Sequence, residues 1–287
     1  MATITPSAPS GWTGYAPLDA SLRAQLAAAF ADIGEGLRRW PNWSYLAVEN
    51  VKNRYRRTVL GPWWLTLQMA VFVTGISLVF GSILHNTLRT FLPYVALGYM
   101  SFSLLSGLTR AGAEVFVNGS STLKSTRQPL SSLVLREVAI EFINFGHNIV
   151  LYLVFLAARL VPLSPKILIA VPVVVLIGVN GLFLGLWLGT TVARFRDVQP
   201  FVNSILGVGV MFSPVFYHLT DLGSGIRNAV IGLNPFTYLI SAFRAPLIGT
   251  GLVPSFYIGM AVVTLINVVL GLAVFTRARS RLPYWVA

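Results

Sequence analysis

The chain contains no cysteine and few charged residues. With no Cys among its 287 residues, disulfides, thiolate metal sites and cysteine nucleophiles are excluded. Only 10% of the residues are charged and 55% are hydrophobic, whereas soluble domains carry about 25% charged residues. The mean hydropathy is +0.72. Because so few polar groups are available to cover the apolar surface, the composition predicts a membrane protein.

Long stretches without Lys, Arg, Asp or Glu predict the number of membrane spans. Six stretches have the length of about 17–25 residues that a helix needs to cross the hydrocarbon core. They do not alternate in polarity, as the strands of a membrane barrel would. The sequence therefore predicts an all-α, polytopic protein with six transmembrane helices. These helices are placed at about 63–84, 89–111, 138–159, 167–191, 199–217 and 256–276.

The basic residues are distributed unevenly between the two sides of the membrane. The chain has 21 Lys and Arg against 9 Asp and Glu, a net charge of +12. With the N-terminus in the cytoplasm, sixteen basic residues fall on the cytoplasmic side and five on the outer side. This is the positive-inside pattern, and it predicts that both termini are cytoplasmic. The net charge is therefore not an electrostatic footprint for nucleic acid.

The N-terminal arm precedes the permease domain, which we assign to residues 59–287. Residues 1–18 lack the basic and apolar regions of a cleavable signal peptide and predict a disordered tail. Residues 19–58 predict amphipathic helices on the cytoplasmic membrane surface. In the first, Asp32 lies on a polar face, and the apolar residues at helical spacing are Leu22, Leu26, Phe30, Ile33 and Leu37. An ordinary helix packed on a partner is the alternative.

Glycine and proline mark special positions in the later spans. Gly181, Gly185 and Gly189 repeat at every fourth residue, which predicts close helix packing. Pro214 breaks the fifth span near its outer end. Between the fifth and sixth spans, in the region of about 218–255, two apolar pieces at 229–233 and 236–243 are too short to cross. Such pieces are typical of re-entrant or interfacial helices on the outer side.

The connection after the second span has a superficial likeness to a phosphate-binding loop. Residues 119–126 lack the glycine immediately before Lys124, and they follow a membrane helix rather than a strand. We therefore expect no nucleotide site, no catalytic residue, no metal and no bound cofactor in this chain. A short helix at about 118–130 would instead dock on a motor subunit, with a solvated loop as the alternative. Its candidate contacts are Asn118, Lys124, Arg127 and Pro129.

Two further sets of residues are candidates for substrate contact. Basic side chains before the first span could meet the pyrophosphate of a lipid-linked glycan, or simply anchor the chain at about 1 kcal/mol per charge. These are Lys52, Arg54, Arg56 and Arg57. Aromatic side chains can stack on sugar rings, the alternative being core or lipid packing. The candidates are Phe72, Tyr94, Tyr99, Phe102, Phe212, Phe216 and Tyr217.

Polar residues also lie along one face of the third predicted helix. They are Glu137, Glu141, Asn144 and Asn148, with His147 beside them. Ionisable groups inside a span are functional candidates, and a relay through Glu141 and His147 would indicate a proton-coupled carrier. Both glutamates fall near the start of the predicted helix and close to Arg136, where their charge costs little. The pattern therefore favours structural hydrogen bonding.

Several motifs, taken in order, resemble those of one transporter family. They are residues 54–64 (RYRRTVLGPWW), 145–150 (FGHNIV), 194–200 (RFRDVQP), 212–215 (FSPV), Asn234-Pro235, 243–249 (FRAPLIG) and 281–285 (RLPYW). From about Asn42 onwards the chain is similar to the membrane subunits of bacterial ABC transporters that export polysaccharides. That group handles O-antigen, capsule, teichoic acid and related glycans of the cell envelope.

The resemblance implies a permease of the bacterial cytoplasmic membrane that forms a homodimer above two copies of an ATPase, which binds ATP and Mg. It implies a coupling helix after the second span and two re-entrant helices before the sixth. It also implies a channel lined by the first, second and fifth helices. The expected function is export of a lipid-linked polysaccharide. An ABC permease for drugs or smaller lipids and a proton-coupled carrier remain the alternatives.

Overall fold

The computed structural model describes residues 21–126 and 128–286. The predicted tail at 1–18 and Arg127 lie outside the described residues. All regular elements of the described part are helices. They are α1 (Leu22–Arg38), α2 (Trp40–Tyr55), α3 (Trp63–Ile83), α4 (Leu88–Asn118), α5 (Ser120–Ser125), α6 (Leu130–Ala157), α7 (Ala170–Arg194), α8 (Val198–Phe212), α9 (Ser224–Leu233), α10 (Pro235–Ile248), α11 (Pro254–Ala278) and α12 (Leu282–Trp285), with short 3-10 turns at Pro165–Ile169 and Leu219–Asp221.

Five of the described helices are long and apolar enough to cross a membrane. They are α3, α4, α6, α7 with the turn before it, and α11, which confirms the predicted all-α membrane architecture. The sixth candidate, α8, has 15 residues and so measures about 22 Å, less than the roughly 30 Å of a hydrocarbon core. The predicted span at 199–217 is thus wrong at its end, because the helix stops two residues before Pro214.

Helix α4 is the centre of the bundle. Its apolar stretch is 72% buried, against 22–33% in the other four long helices. It packs against α3, α6, α7, α8 and α10. Helices α1, α2, α5 and α12 gather at one end of this bundle, which we call the basic end because Arg38, Arg39, Arg54, Arg56 and Arg57 lie there. The loops at 84–87 and 249–253 lie at the opposite end.

Glycines bring α4 and α7 into close contact. A Cβ atom added to Gly112 would lie 2.9 Å from the Cα of Gly185, and one added to Gly189 would lie 2.6 Å from the Gly112 carbonyl oxygen. A Cβ on Gly181 would meet the Leu108 side chain at 2.8 Å. Only glycine fits at such distances, so the predicted close packing around Gly181, Gly185 and Gly189 is confirmed.

Polar side chains join α7 to α11 inside the bundle. The Asn267 amide donates to the Asn180 carbonyl at 2.9 Å, and the Trp187 indole donates to Asn267 Oδ1 at 2.7 Å. Asn180 Nδ2 in turn donates to Thr264 Oγ1 at 2.8 Å. In hydrocarbon such groups have no water to bond with. Their pairing therefore fixes the position of the last long helix.

Helix α1 has two different faces. The face with Ala29, Ile33 and Gly36 is buried against the bundle, where α1 packs on α6 and α11. The predicted apolar set is therefore divided, since Ile33 is buried while Phe30 is 56% and Leu37 50% accessible. An exposed apolar stripe on a helix at the end of a membrane bundle is typical of contact with the lipid interface.

The buried face of α1 also carries Asp32, which is 1% exposed. The sequence predicted only that Asp32 lies on a face other than the apolar one. Its carboxylate accepts hydrogen bonds from the backbone N–H groups of Leu130 at 3.1 Å and Ser131 at 3.0 Å. It also forms an ion pair with Arg279 at 3.6 Å. Asp32 thus caps the start of α6 from another helix and ties α1, α6 and the end of α11 together.

Two helices extend further toward the basic end than predicted. Helix α4 continues past the predicted end at 111 to Asn118, and α6 begins at Leu130 rather than near 138. Glu137 and Glu141 therefore lie about two and three turns inside α6, and placing them near its first turn was wrong. The connection between the two helices shrinks, and among its described residues the short helix predicted at about 118–130 covers only α5.

Candidate functional site

A polar cavity of about 610 Å³ lies between α3, α4, α6, α8 and the end of α2. Its wall runs from Asn118 and Glu137 near the basic end to Phe102 and Asn148 near the middle of the bundle. The cavity thus reaches from the aqueous end of the protein into the depth of the predicted membrane. It is the main candidate for a substrate path.

The cavity brings together residues from three of the predicted sets. Phe72, Tyr99 and Phe102 of the aromatic set line it, together with Arg54 of the basic set and Asn118 of the coupling set. Three of the helices that form the walls, α3, α4 and α8, correspond to the first, second and fifth predicted spans. The contribution of α6, the third span, was not expected.

An aromatic cluster begins on the cavity wall with Phe72 and Tyr99 and continues beyond the wall, away from the basic end, with Phe80 and Phe216. The rings of Phe72 and Tyr99 lie 4.5 Å apart, and Phe216 lies 6.3 Å from Phe72 and 6.0 Å from Phe80. We call these four residues the aromatic cluster. Sequence reasoning missed Phe80, although its spacing of eight residues from Phe72 places it on the same side of a helix.

The opposite part of the wall is polar and comes mainly from α6. Glu141, Asn144 and Asn148 line the cavity at a spacing of three and four residues, so they share one helix face. Glu137, also on this wall, pairs with Arg136 at 2.8 Å. The predicted alignment of these side chains on one face is confirmed, and it is this face that α6 turns toward the cavity.

Charged and amide groups link α4 to α8 at the cavity edge. Gln199 Nε2 donates to Glu114 Oε1 at 2.7 Å, and Arg110 Nε donates to Asn203 Oδ1 at 3.3 Å. Asn118 Nδ2 reaches the other oxygen of Glu114 at 3.2 Å. These bonds hold the first half of α8 against α4, so that Leu206 and Val210 face the cavity.

The backbone after α8 is not helical, and three side chains bond to its carbonyl oxygens. Asn234 Nδ2 donates to the Phe212 carbonyl at 3.0 Å, Arg244 Nη1 to the Pro214 carbonyl at 2.6 Å, and the Tyr94 hydroxyl to the Tyr217 carbonyl at 2.9 Å. Irregular backbone at membrane depth needs such partners, because lipid offers none. We call Asn234, Arg244 and Tyr94 the carbonyl clamp.

Arg244 is the central residue of the clamp. It is 5% exposed, and its guanidinium carbon lies 3.6 Å from the centre of the Tyr94 ring. The imidazole of His218 packs on the same ring at 3.9 Å. Burial lowers the pKa of His218, Asp221 opposes that shift, and Arg244 adds to it. His218 is therefore suited to packing as a neutral ring beside a buried cation.

The remaining members of the predicted aromatic set lie outside the polar cavity. Tyr94 and Tyr217 belong to the clamped region, with Tyr94 buried among Phe91, His218 and Arg244. Phe212 is 61% exposed. It lines an apolar groove of about 600 Å³ between α8 and α9. The positions of these residues depend on contacts between distant segments of the chain. The spacing of residues in the sequence does not reveal such contacts.

The predicted basic and coupling residues lie at the basic end. Arg56 and Arg57 are exposed, and Lys52 pairs with Glu49 at 3.0 Å. Asn118 ends α4, Lys124 belongs to α5, and Pro129 precedes α6. Helix α5 packs on α4 and α12. Within the described residues, no group of three or more His, Cys, Asp or Glu could hold a metal ion.

A comparison with known protein families gives one match. The model described as ABC-2 type transporter matches residues 41–248, which span α2 to α10 and so include every wall of the polar cavity. The match also covers all three residues of the carbonyl clamp. No curated protein matches the chain.

Proposed function

This chain belongs to the ABC-2 type transporter family, and we propose that it forms the channel of an exporter that moves lipid-linked polysaccharide across the bacterial cytoplasmic membrane. Membership of the family makes it a multi-pass membrane component of an ABC transporter, which works with an ATPase subunit. The composition of the polar cavity supports the export of a glycan such as O-antigen.

The observation that carries the proposal is the composition of the cavity wall. A sugar ring has an apolar face, which stacks on aromatic side chains, and a rim of hydroxyls, which pair with amides and carboxylates. The wall offers both, with Tyr99 and Phe102 on α4, and Glu141 and Asn148 on α6. A drug or lipid tail would leave these polar groups without partners, which is costly away from water. This supports a polyhydroxylated substrate.

The basic residues before α3 support a lipid-linked substrate. Arg56 and Arg57 are exposed directly before the first span, and Arg54 lies at the cavity. Guanidinium groups pair well with phosphate oxygens. We propose that Lys52 and these three arginines receive the pyrophosphate of the lipid carrier at the cytoplasmic surface, while the glycan enters the cavity. The sixteen-to-five distribution of basic residues supports this orientation, with both termini in the cytoplasm.

The assembly we propose is a homodimer with two ATPase subunits. Apolar side chains of α3 and α8, such as Val71 at 65% and Met211 at 70% exposure, are available to a second copy. ATP and Mg bind on the ATPase subunits, and this chain carries no cofactor of its own. Helix α5, with Asn118, Lys124, Arg127 and Pro129 in and around it, is the proposed coupling helix.

We further propose that α9 and α10 re-enter the membrane from the outer side. The Phe236 ring lies 5.8 Å from that of Phe102, at the middle of α4. Toward the other end of α10, the Leu247 carbonyl accepts a hydrogen bond from Tyr152 at 3.3 Å. The turn at Asn234 thus lies deeper in the bundle than either helix's outer end, which supports a re-entrant pair beside the channel.

Two alternatives differ in their support. An ABC permease for smaller lipids or drugs is favoured by the apolar groove along Phe212 and Ile226. A proton-coupled carrier using Glu141 and His147 is disfavoured, because the family implies an ATPase partner. The His147 ring also packs against Trp63 at 5.7 Å rather than lining the polar cavity.

Removing this chain from a strain without paralogues tests the proposal. We expect completed lipid-linked glycan to accumulate on the cytoplasmic side and surface glycan to disappear, and the wild-type chain to restore it. Extraction of lipid-linked glycan and surface staining measure the two pools. Unchanged surface glycan would overturn the proposal, and accumulation of a small lipid or drug instead would favour the alternative permease.

A further inference from the structure

We infer that α6 provides a hydroxyl-binding wall, formed by Glu141, Asn144 and Asn148, that recognises uncharged sugar rings of the substrate. This inference rests on the proposed function and goes beyond it. It names a binding site on the third span and states which part of a lipid-linked glycan occupies the cavity. The wall is defined by these three residues.

The first argument is geometric. The three residues share one face of α6, and this face lines the cavity. On α4, which packs directly on α6, Tyr99 and Phe102 line the same cavity together with Ser103 and Ser106. A ring in the cavity therefore has both an aromatic surface and oxygen and nitrogen atoms within its lining. That is the environment that a sugar ring requires.

The second argument is a shortage of hydrogen-bond donors inside the protein. The side-chain oxygens of Asn144 and Asn148 are buried, and neither has a hydrogen-bond partner within the described residues. Asn148 is only 8% exposed. Buried polar atoms without partners are rare in folded proteins and call for an explanation. Both side chains line the cavity, so a rotation of the amide would bring such an oxygen to the cavity surface, where it can accept a hydrogen bond from a ligand hydroxyl.

The third argument is the charge of the lining. Arg54 and Arg110 are the basic residues of the cavity wall, and Glu114, Glu137 and Glu141 are the acidic ones. Glu137 is also paired with Arg136, so the lining carries no excess of positive charge that would favour the entry of a pyrophosphate or of an acidic sugar. Hydroxyl groups, in contrast, can donate to carboxylates and amides alike. The charge balance therefore assigns the cavity to neutral sugars and leaves the diphosphate at its mouth.

The wall is tested in the complex of this chain with its ATPase, reconstituted in lipid nanodiscs. The probe is the lipid-linked glycan extracted from the strain that lacks this chain, and the readout is the concentration that gives half of the maximal stimulation of ATP hydrolysis. We expect Asn148→Leu and Glu141→Leu each to raise this concentration at least about tenfold, because a site built around a hydroxyl loses its pairing. Glu141→Gln keeps an acceptor and should shift it far less.

Two controls make the outcome specific. Asn50→Leu makes the same chemical change at an exposed position of α2 and should leave the stimulation unchanged. Where Asn148→Leu fails to assemble, Asn144→Ala gives the same test with a smaller change. A neutral oligosaccharide cut from the glycan should compete with the probe in the wild-type complex. Inorganic pyrophosphate should not displace the probe from the hydroxyl-binding wall.

The outcomes separate this inference from the proposed function. If the wild-type complex does not respond to the glycan, the proposed function is wrong. If the wild-type complex responds and the Asn148→Leu, Asn144→Ala and Glu141→Leu complexes respond at the same concentration, the export function stands and the hydroxyl-binding wall is wrong. If pyrophosphate competes with the probe in the wild-type complex but not in the Glu141→Leu complex, the assignment to neutral sugars is also wrong.

Discussion

Replacing Arg244 by methionine is expected to stop export and to destabilise the protein by about 3–5 kcal/mol. The change removes the donor to the Pro214 carbonyl at 2.6 Å and the guanidinium from the Tyr94 ring. A buried carbonyl without a partner costs about 1–3 kcal/mol, and a desolvated cation–π contact contributes about 2 kcal/mol. The segment after α8 would lose its fixed path beside the cavity.

Thermal unfolding of the purified complex and export in cells measure the two effects of Arg244→Met. Arg244→Lys keeps the charge but not the planar, forked donor, so we expect partial recovery at most. Arg159→Met serves as the matched control, because Arg159 is exposed at the same end of the bundle. Wild-type stability and export in Arg244→Met would show that the carbonyl clamp is not needed.

Replacing Asp32 by alanine is expected to give the largest loss of stability in the N-terminal region. It removes the buried ion pair with Arg279, which is 2% exposed, and two hydrogen bonds from the start of α6. Breaking a buried ion pair by removing one partner costs about 3–5 kcal/mol. We expect α1 to detach and the level of folded chain in the membrane to fall.

Limited proteolysis near α1 and the unfolding temperature measure the effect of Asp32→Ala. The double variant Asp32→Ala, Arg279→Leu should recover part of the loss, because it also removes the buried charge of Arg279. Glu49→Ala removes a partly exposed carboxylate from α2 and should change stability by less than about 1 kcal/mol. Equal unfolding temperatures for Asp32→Ala and Glu49→Ala would contradict the role of Asp32 as a cap.

The gross architecture was readable from the sequence because hydrocarbon imposes a strict rule on charge. Stretches without charged residues located all five long helices. The glycines at every fourth residue marked the face of α7 that packs on α4. The rule fails at helix ends. Helices α4 and α6 continue beyond their uncharged stretches, because residues such as Glu114 and Glu141 face a polar cavity rather than lipid.

Contacts between distant segments were not readable in the same way. Asp32 looks like a surface residue of an amphipathic helix, and only the start of α6, about 100 residues away, explains its burial. Arg244 looks like a residue of an outer loop, while its partners are a carbonyl after α8 and a ring on α4. Local periodicity carries no information on such pairs, since each depends on how the bundle closes.

The absence of cysteine allows a direct test of the central claim that the polar cavity is the substrate path. A single cysteine can be placed at Ser106, on the cavity wall, or at Asn50, exposed on α2. In the reconstituted complex, both are labelled with a membrane-impermeant maleimide in the presence and absence of the lipid-linked glycan. The account predicts that the glycan slows labelling of Ser106→Cys and leaves that of Asn50→Cys unchanged. Equal labelling rates of Ser106→Cys with and without a glycan that stimulates ATP hydrolysis would contradict it.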